Sequence, residues 1–324
     1  MQSGMRRFQL WLLVGLSALL VTVWGCRAAL SPSPIAISQT IPAEVSEELV
    51  VEGDRLMAHV EALAFPRFDD VDRDRTRDYL RQELEREGWV VTEQAFAEGI
   101  NVVATHPGID PEAEIVVLAA HYDTVAQSPG ADDNATGVAV LLEAARLFAP
   151  LETDRTLQLV FFDQEERGLL GSNAFAETVA PSPTRVVIAL DMVGYACNEP
   201  GCQTYPSGLP IEPPSDRGMF LAAIGDQPHS FLLSAFQSQT GTTLPPVFTL
   251  AVPQLGALTP DFLRSDHAPF WERGIGAVLV TDTADFRNPH YHQPSDTPDT
   301  LDPIFFRGST QVILNAIYQL LHRE

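Results

Sequence analysis

Between Glu44 and Phe65 apolar residues fall at Val45, Leu49, Leu56, Val60 and Leu63, a helical spacing. A second helix is predicted from about Arg73 to Glu87, ended by Gly88, whose backbone freedom suits a helix C-terminus. The pattern then changes. Trp89 to Val91 and Ile100 to Thr105 read as strands. Glu114 to Ala120 (EIVVLAA) is a nearly continuous apolar run, as a strand buried on both faces requires. Thr156 to Phe162 (TLQLVFF) and Arg185 to Leu190 (RVVIAL) repeat that signature. Helices are predicted at Val138 to Phe148, Glu166 to Glu177, Ser230 to Ser238 and Pro303 to His322, and further strands at Met219 to Ile224 and Gly276 to Val280. This alternation predicts an α/β fold: a three-layer sandwich with helices on both faces of a mostly parallel central sheet. Pro200, Pro206, Pro210, Pro213 and Pro214 mark a surface loop, and Val252 to Phe270 reads as a second irregular stretch.

The chain's 324 residues suit one large α/β domain once the N-terminus is set aside. Arg6 and Arg7 precede an uncharged, mostly apolar stretch from Phe8 to Gly25. Residues 1–30 therefore read as a signal peptide or N-terminal membrane anchor. By the positive-inside rule, the remainder is exported to a periplasmic or extracellular location. Val23-Trp24-Gly25-Cys26 is similar to a bacterial lipobox, which would put a lipid on Cys26; Trp24 departs from its usual small residue. Residues 31–42 form a linker, and one folded domain is expected over 43–324. Membrane contact is expected only through the N-terminal segment.

Hydrophobic residues at 45% and charged residues at 19% describe an ordinary globular chain. A net charge of -23 repels phosphate backbones and argues against nucleic acid as a partner. Three cysteines are too few for a disulfide scaffold. Cys197 and Cys202 lie close together in YACNEPGC, and in an exported protein they are expected to form a small disulfide loop.

The buried strands run directly into metal-ligand residue types. The first ends in His121-Tyr122-Asp123, the second in Asp163-Gln164-Glu165-Glu166, the third in Asp191. A glycine-flanked turn, GADDNATG, carries Asp132 and Asp133 before a helix, and His292 lies in YHQPSD near the C-terminus. Sites in open α/β sheets form beyond the carboxyl ends of the strands, so these clusters converge at one edge. Two histidines and three carboxylates suit two Zn2+ ions sharing one bridging carboxylate. A carboxylate next to a ligand could then serve as general base.

HYD, GADDNATG, FFDQEERGLLGS, ALDMVGY, RSDHAPF and NPHYHQPSDT resemble, in order and spacing, the co-catalytic zinc aminopeptidases of the bacterial leucyl-aminopeptidase and aminopeptidase Y type. The resemblance covers roughly residues 88–301 and leaves no room for a protease-associated domain. It implies that His121 and Asp191 hold one zinc, Glu166 and His292 the other, and that Asp133 bridges. Glu165 resembles the general base and Tyr291 an oxyanion donor. Asp123 resembles a carboxylate that orients His121. The ligand histidine of relatives lies before an aspartate at the spacing of His292 and Asp296, so His267 in RSDHAPF is expected to have a supporting role. The implied reaction is removal of N-terminal residues from a peptide substrate by a monomeric enzyme.

Two rival readings remain. Glutaminyl cyclases have a closely similar ligand pattern but use one zinc for intramolecular aminoacyl transfer; many carry Trp before the ligand histidine, where this chain has Tyr291. A receptor that has lost its chemistry would lack ligands, and here all five are present with the base.

Overall fold

The computed structural model describes residues 49–179, 185–207, 209, 211–237, 244–253 and 260–322. The expected leader, linker, lipobox cysteine and first residues of the catalytic domain lie outside the described residues. Eight strands form one sheet: β1 (Val90–Phe96), β2 (Gly99–His106), β3 (Ile115–His121), β4 (Thr156–Phe162), β5 (Arg185–Leu190), β6 (Leu221–Asp226), β7 (Val247–Val252) and β8 (Gly276–Thr281). Their order is β1-β2-β4-β3-β5-β8-β6-β7. The centre is parallel, with β3 paired to both β4 and β5, and β5 to β8. The flanks are mixed: β1–β2, β2–β4 and β6–β8 run antiparallel, while β6–β7 is parallel. The sheet is thus more mixed than the sequence pattern indicated: β1 and β2 join by a tight turn between Phe96 and Gly99, which reverses the chain at one edge, and β6 with its parallel neighbour β7 lies antiparallel to β8 at the other.

Helices α1 (Gly53–Leu63), α2 (Asp70–Arg86), α3 (Gly137–Phe148), α4 (Leu170–Thr178), α5 (Ser234–Gln237), α6 (Ala268–Glu272) and α7 (Pro303–Leu321) complete the described fold. Asp69 caps α2 by accepting from the Asp72 N–H, and Gly88 beyond its end sits at φ +85°. The alternation along β3 divides two cores. Val116, Leu118 and Ala120 pack with α1, α3 and α7; Val117 and Ala119 face the other way, with Phe162, Phe175 and Phe270. Each such large side chain contributes about 1.5–3 kcal/mol by leaving water. The helix predicted from Glu166 begins only at Leu170, leaving Glu165 and Glu166 in the turn beyond β4. The helix expected at Ser230–Ser238 is a 3-10 turn followed by the short α5. Strand β7 was missing from the sequence reading. Among the described residues no helix is long and apolar enough to cross a membrane.

A buried ion cluster fastens α2 to the sheet under the turn after β4. Asp163 accepts from the Ile100 N–H at 3.0 Å, and lies 2.9 Å from Arg73 Nε and 3.4 Å from Arg77 Nη1. Removing one partner from such a cluster strands the others' charges in the interior. Asp163→Ala is expected to lose about 3–5 kcal/mol of folding stability, measured by urea denaturation. A loss under about 1 kcal/mol would show that solvent reaches both arginines.

Candidate metal centre

Parallel pairing brings the carboxyl ends of β4, β3 and β5 side by side, so His121, the Gln164–Glu166 turn and Asp191 emerge at one edge. His121 Nε2 lies 3.4 Å from Asp133 Oδ1 and 3.7 Å from Asp191 Oδ1. His292 Nε2 lies 3.1 Å from Asp133 Oδ2 and 3.0 Å from Glu166 Oε2. These form two groups, His121–Asp133–Asp191 and Asp133–Glu166–His292, with the donor atoms of each within 4.8 Å of one another. Asp133 belongs to both, one oxygen facing each histidine. All five expected ligands are therefore brought together.

The turn bearing Asp133 is held so that this carboxylate alone is spent on neither backbone nor neighbour. Gly130 adopts φ +62°, and a Cβ there would meet the Asp133 carbonyl at 2.4 Å, so only glycine fits. Asp132 accepts from the Gly194 N–H and the Asn288 amide. Asn134 donates to the Leu190 carbonyl and accepts from the Met192 N–H, tying the turn to the loop that carries Asp191. Asp296 accepts from the backbone N–H groups of Asp132 and Asp133, at 2.9 and 3.1 Å. This expected supporting residue thus acts on the backbone beneath the shared carboxylate. Asp296→Ala is expected to weaken zinc binding about 10- to 100-fold in chelator competition. Unchanged affinity would show that Asn134 and Asp132 suffice to hold the turn.

Asp123 does more than orient His121. Its carbonyl accepts from His121 Nδ1 at 3.2 Å; since a carbonyl cannot donate, Nδ1 carries the hydrogen and Nε2 presents its lone pair to the site. Its carboxylate accepts from the N–H groups of Glu165 and Glu166, at 3.0 and 3.2 Å, and so fixes the turn that supplies both side chains. His267 belongs to neither ligand group. It is fully buried, donates from Nε2 to the Phe262 carbonyl at 2.8 Å and packs edge-on against Trp271. Burial lowers its pKa to about 4.

The protein's own charges already describe a cation site. Burial opposes protonation of His121, but Glu165, Asp123, Asp133 and Asp191 outweigh it and hold its pKa well above the ordinary value. Burial likewise opposes His292, yet Asp133 and Glu166 raise it to about 10. Burial and then the Asp133 charge push Glu166 up to about 7. Burial drives Glu165 well above the usual carboxylate range, helped by the charges of Asp266, Asp191 and Glu166. Imidazole and carboxylate donors at these separations, His121 and Asp133 buried and the other three partly so, with one Glu166 oxygen lacking any hydrogen-bond partner, fit borderline divalent ions such as zinc.

Glu165, 8% exposed, stands in neither ligand group but lines the same polar cleft of about 390 Å³ as Asp133, Glu166, Asp191, Tyr291 and His292. Tyr291 stacks on the His292 ring at 3.7 Å, and its phenol oxygen accepts from Arg264 Nη2 at 3.3 Å. A phenol oxygen already accepting from a guanidinium has its own proton left to donate elsewhere.

Two participants escaped the sequence reading. Arg67, fully buried, donates to the carbonyls of Leu63, Phe65, Tyr122, Pro129 and Gly130, and so braces the segment between His121 and Asp133. Burial lowers its pKa only to about 10, so it remains a cation. Asp266 is buried beside the site and raised to about 7 by burial. Its signal was the RSDHAPF motif, where attention fell on the histidine.

The expected Cys197–Cys202 disulfide is present. Comparison with known proteins agrees with the geometry. Residues 101–317 match the model of peptidase family M28. The chain is 33% identical over 281 residues to the uncharacterized protein YfbL of Escherichia coli (strain K12), covering 79% of this chain and 82% of that one. It is 28% identical to aminopeptidase YwaD of Bacillus subtilis (strain 168) over 65% of this chain, but spans only 42% of that longer protein. Among solved structures, the aminopeptidase from Aneurinibacillus sp. strain AM-1 superposes with a TM-score of 0.53 at 27% identity, covering 70% of this chain and 49% of that one. The paired ligand groups at the strand ends thus have the sequence and fold expected of them, and the chain belongs to peptidase family M28.

Proposed function

We propose that the protein is a dinuclear zinc aminopeptidase that removes the N-terminal residue of peptides. The observation that carries this reading is the carboxylate of Asp133, shared between two histidine-containing ligand groups with an uncommitted Glu165 beside them. His121 and Asp191 would hold one ion, Glu166 and His292 the other, and Asp133 both. Two zinc ions held there would lower the pKa of a bridging water and polarise the scissile carbonyl. Glu165 takes a proton from the attacking water and returns it to the leaving amine. Tyr291, its oxygen held by Arg264, donates its phenolic proton to the oxyanion. Asp123 and Asp296 keep the ligand-bearing turns in place.

A one-zinc glutaminyl cyclase would have no use for the second ligand group. The names of the relatives support the peptidase reading, including an aminopeptidase and a zinc metalloprotease. The Cys197–Cys202 disulfide supports export to an oxidising compartment. The test is hydrolysis of a peptide with a free amino terminus and of its N-acetylated twin, alongside metal analysis. Two zinc ions per chain, turnover of the free peptide alone, loss with chelator and recovery with zinc are expected. One zinc with release of pyroglutamate would establish the transferase instead.

A further inference from the structure

Arg67 is a cation with no exposed surface, and the proposed reaction gives it no part. Arginine is almost never fully buried unless something compensates its charge. Burial works against that charge, and the carboxylates of Asp296, Asp123, Asp133 and Glu166 sustain it. Yet its hydrogen bonds go elsewhere. Nε donates to the Tyr122 carbonyl at 2.7 Å, Nη1 to those of Phe65 at 3.1 Å, Pro129 at 2.9 Å and Leu63, and Nη2 to that of Gly130 at 3.0 Å. The planar guanidinium holds its donors in fixed directions, so it ties residues 63–65, 122 and 129–130 to one another at set spacings.

Two of those segments carry ligands of the same ion. Tyr122 directly follows His121 at the end of β3. Gly130 opens the turn of Asp133, and its carbonyl also accepts from the Ala135 N–H at 3.1 Å, which closes that turn. There is no slack at this point: a Cβ on Gly130 would meet Arg67 Nη2 at 2.8 Å as well as the Asp133 carbonyl at 2.4 Å. The other ion's own ligands have different anchors. Glu166 is fixed through its N–H to Asp123, and the His292 carbonyl accepts from Gln127.

We propose that Arg67 is a positioning residue for one of the two ions. It sets the spacing between His121 and Asp133, and with it the affinity of the His121–Asp133–Asp191 group. The Asp133–Glu166–His292 group does not depend on it. The proposal rests on the two-ion reading of the site. The shape of the guanidinium is what the role requires: lysine keeps the charge, but its donors radiate from one atom and cannot span the same carbonyls.

The experiment titrates metal-free protein with zinc in chelator competition, and with cobalt followed by visible absorption. Arg67→Lys is placed in the wild type, in His292→Ala, which leaves the His121 group whole, and in His121→Ala, which leaves the His292 group whole. Melting of the metal-free proteins checks that each is folded. In the wild type and in His292→Ala, Arg67→Lys should weaken one ion about 10- to 100-fold, as loss of a residue supporting a ligand does. The cobalt spectrum of that ion should fade with it. In His121→Ala the same change should leave zinc affinity within about twofold. Wild-type affinity for both ions in Arg67→Lys, or an equal loss in His121→Ala, overturns the proposal. If the wild type binds only one ion, the two-ion reading fails, and this proposal with it.

If Arg67→Lys does not fold, the wild type decides. Coupling between two sites is reciprocal, so zinc must in turn hold the bonds of Arg67. Zinc should slow solvent exchange of the Arg67 Nε hydrogen about tenfold more than that of the buried Trp89 indole hydrogen, which donates to the Ala145 carbonyl. Equal slowing of the two overturns the proposal.

Discussion

Glu165→Gln is expected to lower kcat by two to four orders of magnitude while bound zinc stays unchanged. The substitution keeps shape and volume and removes only the ability to take a proton, which is the loss general-base catalysis predicts. Bound zinc is preserved because Glu165 stands outside both ligand groups. The turn that carries it is fixed through its backbone: the N–H groups of Glu165 and Glu166 both donate to Asp123, and neither bond involves the substituted side chain. KM is expected to move less than about threefold, since a residue used only in the transition state lowers kcat and kcat/KM together. Single-turnover kinetics with metal analysis of the same sample checks this. Wild-type kcat in a zinc-replete variant would remove Glu165 from the mechanism and leave Asp266, buried nearby, as the group to examine.

Much of this site was legible because its ligands follow strands that the apolar pattern makes plain. EIVVLAA, TLQLVFF and RVVIAL each read as buried strands, and the residue after each run is fixed in space once the strands pair in parallel. His292 has no strand to place it; it sits in a loop at φ +58°, and only the family resemblance, with its ligand histidine at this spacing before an aspartate, pointed to it. Arg67 was invisible because its partners are backbone carbonyls, which leave no mark on sequence. Strand β7 was missed because its residues alternate weakly, with Ala251 exposed and Val247 to Thr249 only half-buried on an edge. An apolar cavity of about 110 Å³, which shares Asp191, Arg264 and Tyr291 with the polar cleft, was beyond reach for a related reason. Phe220, Phe248, Phe262 and Phe286 come from four separate segments, and no local period links them.

Asp133→Ala is expected to abolish activity and to reduce bound zinc from two ions to well below one per chain. Asp133 is the one residue common to both ligand groups, so its removal takes a donor from each at once. His121 and Asp191 are left on one side, Glu166 and His292 on the other, and two protein donors fall short of the three that catalytic zinc sites usually have. The change leaves the turn itself in place: Asp296 accepts from the backbone N–H of position 133, and Asn134 still ties the turn to the Leu190 carbonyl. The variant should therefore fold, and the loss should lie in the metal site. Thermal denaturation separates the two possibilities. A ligand that binds only the folded state stabilises it in proportion to the logarithm of its concentration over Kd. Chelator should thus lower the wild-type Tm by several degrees and leave Asp133→Ala unmoved, the variant already melting near the metal-free wild type. If the variant kept two zinc ions, or its Tm fell with chelator as far as that of the wild type, Asp133 could not be the shared ligand. The two histidines would then hold their ions through separate carboxylates.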